Sequence, residues 1–279
     1  MKITHVRNAT LILEMGELVF LVDPMFSEPG TLPGFRMRGG PKRKNPLVPL
    51  PGSAMDWMER VQGVLISHEH PDHLDPPAVA WINARALPVW AGDVDLTYLK
   101  SKGLDARRLD DLASRLDVEM IPAQHGRGLI GWMMGPVSGF YLRYPGEPTV
   151  YLTGDTVLTP IVRTAIKERR PDVIVAPAGS ANFGIGKDIL LTREEHEELV
   201  QIAPGVVVFN HLEAIDHCPT TRADLRQRID QRGWGDRVFI PQDGETMHFS
   251  TPADSLQAAP KQQSHRIPSF QKWLTSKIG

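Results

Sequence analysis

Ser67-His68-Glu69-His70-Pro71-Asp72-His73 gathers three of the ten histidines of this 279-residue chain, together with a carboxylate, into one short stretch. Neutral imidazoles and a carboxylate oxygen are donors for divalent transition metals, zinc first, with manganese or iron also served by the same set. A polar surface turn would leave that clustering unexplained. The flanking residues supply a frame: Gly63 to Ser67 is a brief apolar run that reads as a buried strand, and Asp75-Pro76-Pro77 reads as a helix start with proline at early positions. His68 to Leu74 therefore forms a strand-to-helix loop, where neighbouring side chains can turn inward around one point.

The spacing H-x-H-x-D-H directly after a strand resembles the signature of the metallo-β-lactamase superfamily. That resemblance implies an α/β chain folded over residues 1–250 as the αββα four-layer sandwich of the metallo-β-lactamase type, usually with two divalent metal ions. It also implies further ligands: His125 after the strand ending at Pro122, Asp155 in Leu152-Thr153-Gly154-Asp155-Thr156, and His211 after the run Val206 to Phe209. By the resemblance His68, His70 and His125 hold one metal, Asp72, His73 and His211 the other, with Asp155 bridging. Taken singly, these three have plainer readings: His125 beside Gly126 as a turn residue, Asp155 as a helix cap, His211 as a strand-end histidine. Asp23, after Leu18 to Val22, looks like the family's carboxylate behind the metals, where it would orient ligand imidazoles and raise their basicity. A turn-forming Asp-Pro is the competing reading.

Two cations sharing a water lower its pKa enough to supply hydroxide near neutrality and polarise a carbonyl or phosphoryl oxygen. Hydrolysis is the expected reaction, and Asp72 is the expected catalytic group, binding a metal while orienting the nucleophile and shuttling its proton. The compact domain, Gly154-Asp155-Thr156 and the short loop after His211 resemble L-ascorbate-6-phosphate lactonase-like hydrolases, which implies a lactone or ester. Asn8-Ala9-Thr10, Phe20 to Ser27 and Gly40-Pro41-Lys42-Arg43 are similar to the N-acyl-phosphatidylethanolamine-hydrolysing phospholipase D group, which implies a phosphodiester. A di-iron oxidoreductase on the same scaffold would depart from H-x-H, yet His70 is present. A catalytically silent binding protein would have lost ligands, and none is missing.

Stepping out from the motif, the chain carries 31 Lys and Arg against 33 Asp and Glu, so bulk charge gives no reason to expect a nucleic acid or an anionic membrane as main partner. Cys218 is the single cysteine and has no partner for an internal disulfide, which favours a reducing compartment. Met1 to Asn8 lacks the pattern of a signal peptide and no segment reaches bilayer length, so the sequence reads as cytoplasmic. The oligomeric state stays open.

Ala9 to Met15 and Glu17 to Val22 read as strands broken at Gly16. Strands are also expected near 118–122, 139–144, 149–152, 173–176 and 206–209, with capping boxes at Thr192/Glu195 and Thr221/Asp224 opening helices. Met25 to Gly52 has no periodicity and reads as a long ordered excursion. Its Arg36, Arg38, Lys42, Arg43 and Lys44 are candidates to hold an anionic small-molecule substrate, against the alternative of a solvated basic loop. No aromatic residues interleave with the charges as nucleic-acid binding would want. His217, in the loop after His211, is a candidate pocket residue, His196 reads as a surface position on a helix, and Cys218 as inert. Residues 251–279 read as a docking helix or a frayed tail.

Overall fold

Strand β1 (Lys2–Arg7), β2 (Thr10–Met15) and β3 (Leu18–Val22) run as an antiparallel meander in the computed structural model, which describes residues 1–250. The expectation for 251–279 falls outside the described residues. Gly16 makes the second turn at φ +57°, and a Cβ there would stand 2.2 Å from the Tyr144 ring, so only glycine fits. There follow α1 (Ala54–Met58), β4 (Gly63–Ile66), α2 (Pro76–Ala84), β5 (Pro88–Ala91), α3 (Leu96–Ser101) and β6 (Asp105–Arg108). After a 3-10 turn at Leu109–Ser114 come β7 (Asp117–Gln124), α4 (Gly128–Met133), β8 (Pro136–Arg143), β9 (Val150–Leu152), α5 (Pro160–Arg169) and β10 (Val173–Pro177). The described chain ends with α6 (Arg193–Ile202), β11 (Val206–Asn210), α7 (Arg222–Gln231), β12 (Val238–Phe239) and β13 (Thr246–His248).

These strands form two sheets, one ordered β13-β1-β2-β3-β4-β5-β6 and the other β12-β11-β10-β9-β8-β7. Period-two alternation decides how they stack. Phe20, Leu65, Trp90, Phe140, Leu152 and Val175 share one apolar cluster between the sheets. Their chain neighbours turn the other way: Leu21 and Val64 pack with Ala78 and Ile82 of α2, while Ile174 and Phe209 pack with residues of α5, α6 and α7. Each sheet thus buries both faces, giving the αββα sandwich that the resemblance implied. Fully burying one such aliphatic or aromatic side chain contributes about 1.5–3 kcal/mol.

Caps fix where the helices start. Asp75 Oδ1 accepts from Ala78 N at 3.0 Å ahead of two prolines, and both expected capping boxes are formed. The excursion is ordered, as expected, by polar anchors rather than by regular structure. Arg7, fully buried, donates to the carbonyls of Val48, Met25 and Ser27. The Asp216 carboxylate accepts from the backbone N–H groups of Phe35, Arg36 and Arg43.

Strand direction places the functional ends. β1, β3, β4, β5 and β6 point one way in the first sheet, and β7, β9, β10, β11 and β12 agree with one another in the second. The strands β1, β5, β6, β12 and β13 were not among those expected from the sequence; apart from β1, each has four residues or fewer, too short a run to show a pattern.

His196 departs from the sequence expectation. It is fully buried against Phe209, with ring centroids 5.3 Å apart, because it shares the inward face of α6 with Leu199 and Val200 at helical spacing. Burial, with Arg228 and Arg193 adding to it, pushes its pKa down from 6.5 to about 3. The folded chain keeps this imidazole neutral while the unfolded chain protonates it, so stability is lost as pH falls from 6.5 towards 3. His196→Gln should flatten the pH dependence of the unfolding free energy, read from urea titrations, by up to ~1.4 kcal/mol per pH unit over that window. An acid-side slope identical to that of the parent chain would count against a buried neutral imidazole.

Candidate metal centre

Every residue singled out by the motif stands at or just beyond a strand end on one edge of the sandwich. His68, His70, Asp72 and His73 follow β4, His125 follows β7, Asp155 follows β9 and His211 follows β11. The backbone there is strained: Asn8, Asp23 and His211 adopt φ of 56°, 45° and 58°, left-handed values that cost a non-glycine residue about 1–3 kcal/mol each. Gly154, at φ +62°, precedes Asp155 where a Cβ would press to 2.9 Å from Val137 Cγ1 and 3.0 Å from Ser138 O. Tertiary bonds hold these turns. His211 N donates to Asn8 O at 2.8 Å, and Asn8 Nδ2 donates to Asp72 O at 3.1 Å.

The side chains converge in two donor groups. His68, His70 and His125 form one and Asp72, His73, Asp155 and His211 the other, with the donor atoms of each group within 4.8 Å of one another. Asp155 lies between them: its Oδ2 is 3.3 Å from His125 Nε2, 3.2 Å from His73 Nε2 and 3.5 Å from His211 Nε2. Asp72 Oδ2 is 3.2 Å from His211 Nε2. All seven are buried except His70, which is half-buried.

Around them, the outer nitrogens are pinned. Asp23 accepts from Ser67 N at 2.7 Å, from Ser67 Oγ at 2.7 Å and from His73 Nδ1 at 2.9 Å. A carboxylate only accepts, so the Ser67 hydroxyl hydrogen is committed to it and the same oxygen accepts from His68 Nδ1–H at 2.9 Å. His125 Nδ1–H donates to Ile189 O at 2.9 Å. In the neutral form the inward Nε2 atoms are lone-pair donors, and Nε2 of His68, His73 and His211 is buried with no aligned hydrogen bond, those of His73 and His211 lying beside the Asp155 and Asp72 carboxylates. Such orphaned nitrogens, aimed at one another beside two carboxylates, fit a pair of divalent cations.

The charge balance says the same. Burial opposes a charge on His73, yet Asp155, Asp72 and Asp23 outweigh it and push its pKa up to about 10. Against their own burial, Asp72 and Asp155 are held below the usual carboxylate range by His73 and His211. At the other group, burial pushes His125 down to about 4, and burial with His73 and His70 holds His68 well down. The carboxylate end thus seeks positive charge, while the three-imidazole end keeps its lone pairs free.

A cavity of about 110 Å³ opens beside this centre, lined by His68, Glu69, His70, Val94, Asp95 and Met134 among others. His217 is buried on the neighbouring loop, stacked on Phe183 at 5.2 Å and edge-on to Phe35 at 5.4 Å; burial holds it near pKa 4. Of the basic candidates, Arg38, Lys42, Arg43 and Lys44 are exposed. Arg36 is half-buried and donates to the carbonyls of Asp216 and Gly39. The sequence reading passed over Ser67, whose only signal was its place before His68. It also took Cys218 as inert, although Sγ lies 3.5 Å from His211 Nδ1.

Residues 19–211 match the family model of the Beta-lactamase superfamily domain. The chain is 28% identical over 256 residues to the UPF0173 protein YddR of Bacillus subtilis, covering 89% of this chain and all of that one. It is similar in structure to an isothiocyanate hydrolase from Delia radicum gut bacteria, with TM-score 0.83 and 30% identity over 90% of this chain and 100% of the other. A mitochondrial N-acyl-phosphatidylethanolamine-hydrolyzing phospholipase D of Saccharomyces cerevisiae is 27% identical over 54% of this chain and 33% of its own length.

Two divalent ions per chain are expected on metal analysis after reconstitution, with a rise in Tm that depends on free metal concentration. Asp155→Ala should lower occupancy at both groups, since it faces both. Saturation at one ion under all conditions would rule out the paired centre.

Proposed function

The chain belongs to the β-lactamase superfamily and is a metal-dependent hydrolase of that fold, and we propose that it adds water across a small electrophile at carbon, an isothiocyanate or the carbonyl of a lactone or ester. The observation that carries this reading is the pair of donor groups joined at Asp155 and opening into a small cavity. In it, His68, His70 and His125 would hold one ion, Asp72, His73 and His211 the other, and Asp155 both. Divalent ions held by these residues would supply a water of lowered pKa and polarisation of the electrophile.

The protein's own groups do the rest. Asp23, through Ser67 and directly through His73, fixes two imidazoles on different donor groups, so the spacing between them does not drift as charge develops. Asp72 is the acid–base group: its carboxylate accepts a proton from the attacking water and returns it to the departing nitrogen or oxygen. Asn8 holds the Asp72 backbone while this happens. Val94, Met134 and Pro136 wall the cavity with apolar atoms, which limits bulk water around the reacting carbon.

Two features bear on substrate. Likeness to an isothiocyanate hydrolase over that protein's whole length supports a heterocumulene carbon as target. The exposed basic side chains of the excursion favour a substrate carrying an anionic group, which suits a phosphorylated or carboxylated lactone or ester.

A panel of isothiocyanates, lactones, esters and phosphodiesters offered to the reconstituted protein tests the reaction class; turnover of phosphodiesters alone would overturn it. On the best substrate, Asp72→Ala should lower kcat roughly 100-fold or more with KM little changed, at equal metal content. Unchanged kcat would remove Asp72 from the chemistry.

Neutralising Arg43 and Lys44 together should raise KM for an anionic substrate and leave an uncharged analogue nearly unaffected, with the difference shrinking as salt is added. Equal, salt-insensitive behaviour of both substrates would end the anion-selection reading.

A further inference from the structure

Among the described residues, seven large apolar side chains are exposed; of these Val94 lines the metal cavity, Leu129, Trp132 and Met133 lie on α4 directly before the cavity wall at Met134, and Met37 and Ile185 lie on segments that reach α4. Val94 lines the cavity itself, as do Met134, Gly135 and Pro136, the residues that directly follow α4. α4 contributes Leu129 at 73%, Trp132 at 79% and Met133 at 70% exposure, and buries none of its residues. It rests on the core through its partly buried face: Ile130 and Met134 pack with Ile189, Leu190 and Phe183. Ile130 also packs close enough to Gly186 that a Cβ there would stand 2.4 Å from Ile130 Cδ1, which sets Ile185 beside α4. Met37 N donates to Phe183 O at 2.9 Å, which brings the excursion to the same edge. Met134 to Pro136 thus join the lining of the cavity to α4, and Val94 stands on the same lining.

Leaving these side chains in water forgoes burial energy, and patches of this kind mark binding sites. Size points to the occupant. The cavity, about 110 Å³, is smaller than the roughly 150 Å³ pocket that accepts a single benzene ring, so it takes a reacting group and little more. Whatever else the substrate carries must leave across Val94 and Met134 and lie against α4. A second copy of the chain meeting this face about a two-fold axis fits poorly. Segments 36–44, 93–95, 127–136 and 183–188 carry seven Lys or Arg against three acidic residues, Asp93, Asp95 and Asp188, in a chain of net charge −2, so copies would bring mainly like charges together.

We infer that α4 and its neighbours Met37, Val94 and Ile185 form an outer subsite for an apolar substituent of the substrate, so that the enzyme takes amphiphilic electrophiles with the reactive carbon in the cavity and an alkyl or aryl body on this rim. The inference rests on the metal cavity being the hydrolytic site. The side chains of Trp132, Met133 and Leu129 clasp the body of the substrate, and its length sets affinity.

Straight-chain carboxylates from butyrate to decanoate, titrated calorimetrically into the metal-loaded protein, test the subsite without any turnover. Affinity should rise up to about fourfold per methylene beyond butyrate. In Trp132→Ser, and in Leu129→Ser/Trp132→Ser/Met133→Ser, the slope should flatten to less than half while butyrate affinity, metal content and Tm stay as in the parent chain. An unchanged slope in both variants, or affinity independent of length in the parent, overturns the inference. So does sedimentation showing a dimer that Trp132→Ser dissociates, or pelleting with phosphatidylglycerol vesicles that the same variant abolishes, since another occupant then covers the face. Loss of activity on every electrophile with the length dependence intact would sink the hydrolytic reading and leave the apolar subsite standing.

Discussion

One buried carboxylate organises this edge of the molecule. Asp23 accepts three hydrogen bonds, from the Ser67 amide, the Ser67 hydroxyl and His73 Nδ1, and through the hydroxyl it also sets the proton on His68. A single acceptor thus fixes the tautomer and orientation of one imidazole in each donor group. It sits at the end of β3, parallel to β4, so the same pairing that aligns the two strands also places the carboxylate opposite the loop it governs. Without it, Ser67 and His73 would each leave a buried polar atom unsatisfied, at about 1–3 kcal/mol apiece.

That arrangement is expensive in a bare protein. Asp23, Asp72 and Asp155 are nearly removed from solvent, several imidazole nitrogens have no partner, and three non-glycine residues near the centre hold left-handed backbone. Burying an ion without compensation costs several kcal/mol. His73 and His211 offset part of it by gaining protons, and divalent cations would offset it more fully by satisfying both carboxylates and imidazoles at once. The rest of the sandwich supplies the stability that makes such a centre tolerable: a continuous apolar layer between the sheets and a helix layer on each outer face.

Charge and apolarity are distributed unevenly around the mouth. The bulk chain is almost neutral, yet the excursion beside the centre is basic and α4 presents Leu129, Trp132 and Met133 to water. Neither segment contributes to the sheets. Both hang from the frame by a few anchors, Arg7 and Asp216 for the excursion and Ile130 with Met134 for α4, so their sequences are free to serve recognition while the strands serve packing.

The sequence alone determined the donor cluster, the strand before it and the helix after it, because H-x-H-x-D-H is local and its frame is punctuated by Asp75 and two prolines. Short apolar runs such as Val206 to Phe209 and the two capping boxes were legible for the same reason: each rests on neighbours a few residues away. Family resemblance supplied His125, Asp155 and His211, which no local pattern singles out. What only the tertiary structure decided was everything carried by contacts between distant segments. Ser67 and Cys218 gained meaning once Asp23 and His211 were folded against them. His196 turned inward because the phase of α6, not the polarity of imidazole, chooses its face. The exposure of α4 was unreadable, since Leu-Ile-Gly-Trp-Met looks like core until the layers are assembled and no surface remains to cover it. Local spacing encodes which atoms can bind a metal, whereas burial, tautomer and the shape of the cavity's mouth are properties of the assembled layers and have no local code.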